Sequence, residues 1–482
     1  MTRAFVAFCL AATAQLATAQ SIIPAAIAKA RPAVSPFPVA GCDVNGKCPR
    51  RFPLYVETVA DFNTGAAGLP NGYASHPIAG AAGYELDLTV TGAQGVTTLT
   101  VSAGTVADAQ GVWAAVIQHD DGSWDVYSVT TTNRTNTVSI KPPLHKAVTS
   151  GTLANLHDAV NGQHFTPNGY RALAAHVWSY PGWKAYRDTY IAQSVETDPG
   201  NGKWTEINGI PGPWFVCNQL ANAFGSANPL ASWWMARNTS FCLGAASANG
   251  SQGVEWTQDL GGKTGYVDSY IAADTGTAPA HVTVIIDGTT KLDKDVYGLE
   301  RIAVQFTKAT SGTIRYTFPT GDGGQSTKYR LGTTTWRELP DVVPSSLFST
   351  GAKVVYVGDS WGVFYSGLGP STLGDYLATI GGSLVNVAVG GMQASWAQAN
   401  FDTLITANAP DVVVIEFFVN DYNALGDAGV DTWRARIYDL ANRCLALGIQ
   451  PVIIMPTGTA SPSQAQGLLK FGAALAEGSP SP

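Results

Sequence analysis

Val354-Val355-Tyr356-Val357-Gly358-Asp359-Ser360-Trp361-Gly362 decides how the C-terminal part of this chain is read. A β-branched apolar run halts at Gly-Asp-Ser, the pattern of a buried parallel strand entering a tight turn. Ser360 then stands at the carboxyl end of a strand, where open α/β sheets place their ligands. Two blocks follow it. Asn386-Val-Ala-Val-Gly390-Gly391-Met-Gln comes after one helix and the next strand. Asp411-Val-Val-Val-Ile-Glu-Phe-Phe-Val-Asn420-Asp421 ends the strand after that. The spacing predicts strands over 353–357, 384–389, 412–418 and 451–456, and a helix over 432–447 stopped by Gly448. Short apolar strands alternating with helices imply a parallel sheet covered on both faces. Taken singly, a Ser after a strand is most often a helix N-cap, and Gly-Gly or Asn-Asp a turn. Their succession at three strand ends is what points to chemistry.

The three blocks resemble the SGNH (GDSL) hydrolase family over roughly residues 350–480. The resemblance implies an α/β, flavodoxin-like, three-layer domain at 350–482. It implies Ser360 as nucleophile, with the Ser360 and Gly391 backbone N–H groups and the Asn420 amide as oxyanion donors. The chemistry is consistent with those types. A serine hydroxyl needs a base to take its proton, glycine lets backbone approach the acyl carbon, and an amide donates without titrating. No cofactor and no metal enters that chemistry. The family carries glycine two residues before the Asn, where this chain has Phe418. That bulk either narrows the acyl pocket or extends the strand by one residue.

The family's last block, Asp-x-x-His, has no counterpart downstream, because no histidine follows His281. The nearest likeness is far upstream, Asn161-Gly-Gln-His164-Phe-Thr-Pro-Asn-Gly169-Tyr170. Asn161 takes the Asp position there, and Asp158 is the nearest carboxylate. Three alternatives stay open. His164 is the base of a circularly permuted or interleaved domain, it is a capping or core histidine, or the base belongs to sequence beyond Pro482. The C-terminal segment by itself leaves a sheet edge exposed after its fourth strand. His76, His119, His145, His157, His176 and His281 lie in no motif and read as structural.

Upstream, residues 53–192 are expected to form a β-rich domain that ends in a helical segment carrying the His164 block. Period-two alternation marks its strands, and His119-Asp-Asp-Gly122-Ser reads as a hairpin turn. Residues 193–250 form an aromatic, Asn-rich connector whose tryptophans (Trp204, Trp214, Trp233, Trp234) are either a sugar-binding surface or, more commonly, buried. Residues 251–345, with short, evenly spaced strands and Gly turns, read as a β-sandwich.

The 482 residues are 45% hydrophobic and 13% charged, with 52 Gly, 27 Pro and a net charge of −7. Such a composition favours loop-rich exported β domains, and the acidic balance with no basic run excludes a nucleic-acid partner. Arg3, the apolar Ala4–Leu16 core and Ala17-Thr18-Ala19 form a signal-peptide pattern over 1–19. A leader at 20–52 follows, and no later segment is apolar enough for a membrane span. Secretion or periplasmic export is expected. In that oxidising setting Cys42 and Cys48 would close a small ring. A Cys217–Cys242 bridge would contribute about 3 kcal/mol, and Cys444, on an amphipathic helix, stays unpaired. The expected function is a secreted serine esterase acting on ester groups, preferably O-acetyl groups of a polysaccharide. The alternative is a non-catalytic carbohydrate-binding protein with an incomplete hydrolase domain.

Overall fold

A computed structural model describes residues 53–58, 88–103, 111–131, 136–141, 143–156, 164–186, 204–207, 214–216, 241–243, 252–273, 279–296, 299–318, 329–339, 344–365, 372–455, 471 and 475. The first strands are β1 (Leu54–Val56), β2 (Leu88–Gly92), β3 (Thr98–Ala103), β4 (Gly111–Gln118), β5 (Trp124–Thr131), β6 (Thr137–Lys141) and β7 (Val148–Asn155), followed by helix α1 (Pro167–Ser179). Next come β8 (Thr205–Ile207), β9 (Trp214–Val216), β10 (Phe241–Leu243), β11 (Gln252–Ala273), β12 (Ala280–Ile286), β13 (Thr289–Val296), β14 (Leu299–Phe318) and β15 (Tyr329–Glu338). The C-terminal part alternates β16 (Lys353–Gly358), α2 (Ser360–Tyr365), α3 (Leu373–Thr379), β17 (Ser383–Asn386), α4 (Ala394–Ala399) and α5 (Phe401–Leu404). It closes with β18 (Val412–Glu416), α6 (Val419–Leu425), α7 (Val430–Ala446) and β19 (Gln450–Ile454).

The edge left by the four C-terminal strands is filled from the other end of the chain. The parallel sheet runs β1-β19-β18-β16-β17, with Leu54, Tyr55 and Val56 opposite Val452, Ile453 and Ile454. Thr58 Oγ1 donates to the Met455 carbonyl at 2.7 Å, which extends the seam by one residue. Leu54–Val56 are buried, as are all residues of β18 and β19. That explains why these strands read as unbroken apolar runs. The expectation of an incomplete sheet is therefore corrected: β1, read from sequence as part of the 53–192 β domain, belongs to this sheet. Three apolar residues carry no periodicity that would assign them to one sheet or another.

The β domain itself begins at β2. Strands β2-β3-β6-β5-β4-β7 close into a barrel, and the 119–123 hairpin joins β4 to β5 with Gly122 at φ +80°. Leu88, Val90, Leu99, Ile117, Tyr127, Val129 and Leu153 fill its inside. Val116, Val126 and Ala154, which face the other way, are buried too, in the core that holds α1 and the parallel sheet. One barrel wall is thus covered on both faces, so its strands lack clean alternation. The segment carrying α1 does not close off the barrel. It packs between the barrel wall and the Ser360 helix.

The third unit also departs from expectation. Strands β13-β12-β14-β11-β15-β10-β9 form one sheet, with β8 on β11. β11 and β14 run 22 and 20 residues, paired antiparallel along their length with register shifts between Asp259 and Gly265. Gly261 and Gly262, both at positive φ, interrupt the apolar pattern there, so two long strands look like four short ones in sequence. Strands β8, β9 and β10 come from the 193–250 stretch, so these three segments of the expected connector pair into this sheet. Trp204 is buried against Trp256 and Tyr316; the side chains of Trp214, Trp233 and Trp234 lie outside the described residues. A buried ion pair fastens the sheet to the end of α1. Arg301 Nε donates to Asp268 at 2.6 Å and its Nη1 to Tyr180 Oη at 2.7 Å.

Cys444 is buried and free, and burial pushes its thiol up to about 12. Cys42, Cys48 and Cys217, the 1–19 signal pattern and the 20–52 leader lie outside the described residues, as does the side chain of Cys242. The other described histidines have structural partners. His119 and His145 hold Asp125, His176 Nε2 donates to the Glu57 carbonyl, and His281 pairs with Asp293 and Asp295. His76 and His157 lie outside the described residues.

The β1 seam makes a direct prediction. Leu54→Ala should cost about 2–5 kcal/mol, as buried Leu truncations do. In hydrogen-exchange mass spectrometry it should speed exchange of the Val452–Ile454 amides while leaving the 88–155 barrel unchanged. Faster exchange in the barrel alone would assign β1 to the barrel.

Candidate active site

The carboxyl ends of β16, β17 and β18 converge on one place. β16 ends at Gly358, and α2 begins two residues later with Ser360. Gly358 must be small, since an added Cβ would lie 2.7 Å from the Glu416 carbonyl oxygen. After β17, Asn386 Nδ2 donates to the Gly362 carbonyl at 2.7 Å, and its Oδ1 accepts from Ala388 N at 3.0 Å. These bonds press the Gly390-Gly391 turn against α2, so that a Cβ on Gly390 would sit 3.7 Å from Ser360 Cβ. Gly391 has φ +81°, and no atom lies within 4 Å of where its Cβ would be. That glycine faces open space beside the serine.

β18 ends at Glu416 and not later, so the strand is not extended at Phe418. Phe418 is buried, with its ring against Trp361 at 5.2 Å between centroids. Two residues on, the Asn420 amide donates to Asp359 Oδ2 at 3.1 Å. An amide nitrogen carries two protons, so this bond orients the group and leaves one N–H for a further acceptor.

His164 arrives on the segment that links β7 to α1. Its Nε2 stands 3.0 Å from Ser360 Oγ, across 196 residues of sequence. The hydroxyl donates in this pair when the ring proton sits on Nδ1. The backbone just beyond His164 is held by the end of β7. Thr166 N donates to the Leu156 carbonyl at 2.9 Å, and Thr166 Oγ1 donates to the Asn155 carbonyl. Thr166 also caps α1, accepting from Gly169 N at 3.0 Å. Gly169 is obligatory in this corner, because a Cβ there would lie 2.5 Å from the Leu156 carbonyl oxygen. Asp158 and Asn161, the sequence candidates for orienting His164, lie outside the described residues.

Sequence reasoning missed a set of buried carboxyls beneath these groups. Asp359 accepts from Trp361 N at 3.0 Å as well as from Asn420, and is fully buried. Burial first, then the Asp421 charge, pushes its pKa up to about 7. Glu416, also fully buried, is held well above the usual carboxylate range by desolvation and by Asp359. It accepts from Tyr356 Oη, while its Oε1 has no hydrogen-bond partner among the described residues. Asp421 binds Ala394 N at 2.8 Å and Arg436 at 3.0 Å, tying the turn after Gly391 to the strand end that carries Asn420. The one available signal was Asp359 itself, inside Gly-Asp-Ser. Glu416 sits in an apolar run that gives no warning of its partner.

No protein-family model matches the chain, and no curated protein does. Among solved structures it is similar to a catalytic mutant of Axe2, an acetylxylan esterase from Geobacillus stearothermophilus. That likeness is 19% identical, covers 27% of this chain and 71% of the other, and has a TM-score of 0.22. The acetylxylan esterase AlAXEase is 18% identical over 26% of this chain and 72% of its own, with a TM-score of 0.23. A GDSL-like lipase from Bacteroides thetaiotaomicron is 17% identical over 26% of this chain and 62% of its own, with a TM-score of 0.23.

Proposed function

We propose that this protein is a serine ester hydrolase whose nucleophile, Ser360, and base, His164, are separated in the chain by the long-stranded sheet. The observation that carries this reading is the 3.0 Å contact between His164 Nε2 and Ser360 Oγ. That distance is within the range a general base needs. Ser360 Oγ attacks the ester carbonyl as its proton passes to Nε2. Negative charge builds on the carbonyl oxygen, where the N–H groups of Ser360 and Gly391 and the free N–H of Asn420 would receive it. Collapse breaks the ester C–O bond, and the imidazolium returns its proton to the leaving alcohol. Water then repeats the sequence on the acyl-serine and releases the acid.

For substrate, the preferred reading is a short acyl group, acetyl above all, on a carbohydrate presented to an exported enzyme. The export pattern at residues 1–19 and the two appended β units favour an extracellular or periplasmic polymer.

Ser360→Ala and His164→Gln should each lower kcat for a small aryl acetate by at least about 10⁴-fold, with little further loss in the double variant, because the two act as a unit. The Ser360→Ala melting temperature should stay within error of the parent. Full activity in either single variant would refute the pairing. Asn420→Ala should lower kcat about 100–1000-fold with KM little changed, as loss of one oxyanion donor does. An organophosphonate probe should label Ser360 alone, with a rate that falls on the acid side as the imidazole takes up a proton.

The carboxyls make a separate prediction. A folded-state pKa of about 7 against 3.8 means that native Asp359 holds its proton over a range where the unfolded chain has lost it. Its contribution to stability is therefore greatest at low pH and declines as pH rises from about 4 to about 7. Denaturant midpoints measured across that range should fall less steeply in Asp359→Asn and in Glu416→Gln. An unaltered slope in both would mean that neither carboxyl is held neutral.

A further inference from the structure

In a chain where His164 and Ser360 are 196 residues apart, a second contact must keep them in register, because a single hydrogen bond fixes a separation but not the relative orientation of two segments. We propose that Trp361 is a positioning residue that locks the His164 segment onto the Ser360 helix through an aromatic cluster. The proposal rests on the reading of Ser360 and His164 as a catalytic pair.

Trp361 immediately follows Ser360 and is fully buried. On one side it meets the His164 segment. Its ring lies 4.7 Å from Phe165 and 5.8 Å from Tyr170, both edge-on, and 6.3 Å from the His164 ring. On the other side Phe418 meets it edge-on at 5.2 Å, two residues before Asn420. One side chain therefore touches the segment carrying the base, is bonded to the nucleophile's own residue, and packs against the strand end that holds Asn420. Edge-to-face aromatic pairs are directional, so they fix angle as well as separation. The cluster also accounts for Phe418 where the family has glycine, since a glycine would leave a void against the indole. Its polar edge is informative too. Trp361 Nε1 is buried with no hydrogen-bond partner among the described residues. Among the described residues, ring packing alone holds the indole in this orientation, which a leucine would not reproduce.

The test compares Trp361→Leu, Trp361→Phe and Phe165→Leu with Trp336→Phe, a fully buried tryptophan in the separate core of the long-stranded sheet. With a 4-nitrophenyl acetate assay on the full chain, Trp361→Leu should lower kcat about 100-fold, the loss typical of a 1 Å misplacement, with KM within about twofold. Trp361→Phe should recover most of the rate. Phe165→Leu should reproduce the loss from the opposite side of the contact, which keeps the test available if Trp361→Leu does not fold. Trp336→Phe should lower the melting temperature and leave kcat per folded molecule unchanged. Wild-type kcat in folded Trp361→Leu or Phe165→Leu would overturn the proposal, as would an equal kcat loss in Trp336→Phe. An inactive parent protein would instead count against the esterase reading. The docking would then be read from the ¹⁵N signals of the His164 imidazole, sharp in the parent and broadened in Trp361→Leu; unchanged signals would overturn it.

Discussion

The parallel pairing of Leu54–Val56 with Val452–Ile454 is the constraint on which the remaining architecture depends. It joins the two ends of the described chain in one sheet and covers an edge that would otherwise expose unpaired backbone. It also dictates the path between. A chain that leaves β1 in this sheet has to return to it, and does so at β16 after building the barrel, α1 and the long-stranded sheet. Parallel pairing of Leu54 with Val452 carries a loop-closure cost that grows only with the logarithm of the intervening length. That cost is offset by burial, since all three β1 side chains and the α1 face that follows enter one core with the parallel strands.

The same core shows how α1 is aimed. The outer wall of the barrel, through Val116, Val126 and Ala154, gives α1 a second apolar surface opposite the parallel sheet. Its N-terminus is pinned to the end of β7 by Thr166 and by the bare backbone of Gly169. Its C-terminal end meets the long-stranded sheet at Tyr180, where Arg301 and Asp268 form a buried, hydrogen-bonded pair. Such a pair contributes little net stability over an apolar replacement, but breaking it leaves an uncompensated charge, so it specifies orientation. All three units thus converge on the helix that carries the His164 segment.

Electrostatics at the strand ends follow from the same burial. Asp359, Glu416 and Asp421 are packed beneath Ser360 and Asn420, away from water. Among the described residues, only Asp421 has an arginine beside it. Desolvation raises the pKa of the other two, and they serve as fixed acceptors for Asn420, Trp361 N and Tyr356.

The sequence by itself determined the parallel strands, their alternation with helices from β16 onward, and the placing of Ser360, the Gly390-Gly391 turn and Asn420 after successive strands. Each of those follows from local signals: apolar runs of strand length, glycines where backbone must approach, polar residues where a strand stops. The hairpin at Gly122 and the buried, free Cys444 were legible for the same reason. Only the tertiary structure decided what lies beyond local signal. Three apolar residues cannot announce which sheet they join, so β1 was read into the barrel. Two strands interrupted by glycines look like four, so the long-stranded sheet was read as a short-stranded sandwich. The position of His164 depends on a seam, a barrel wall and an aromatic cluster contributed by segments hundreds of residues apart. Its motif marked it as one of three alternatives, and only through-space packing sets its Nε2 at 3.0 Å from Ser360 Oγ.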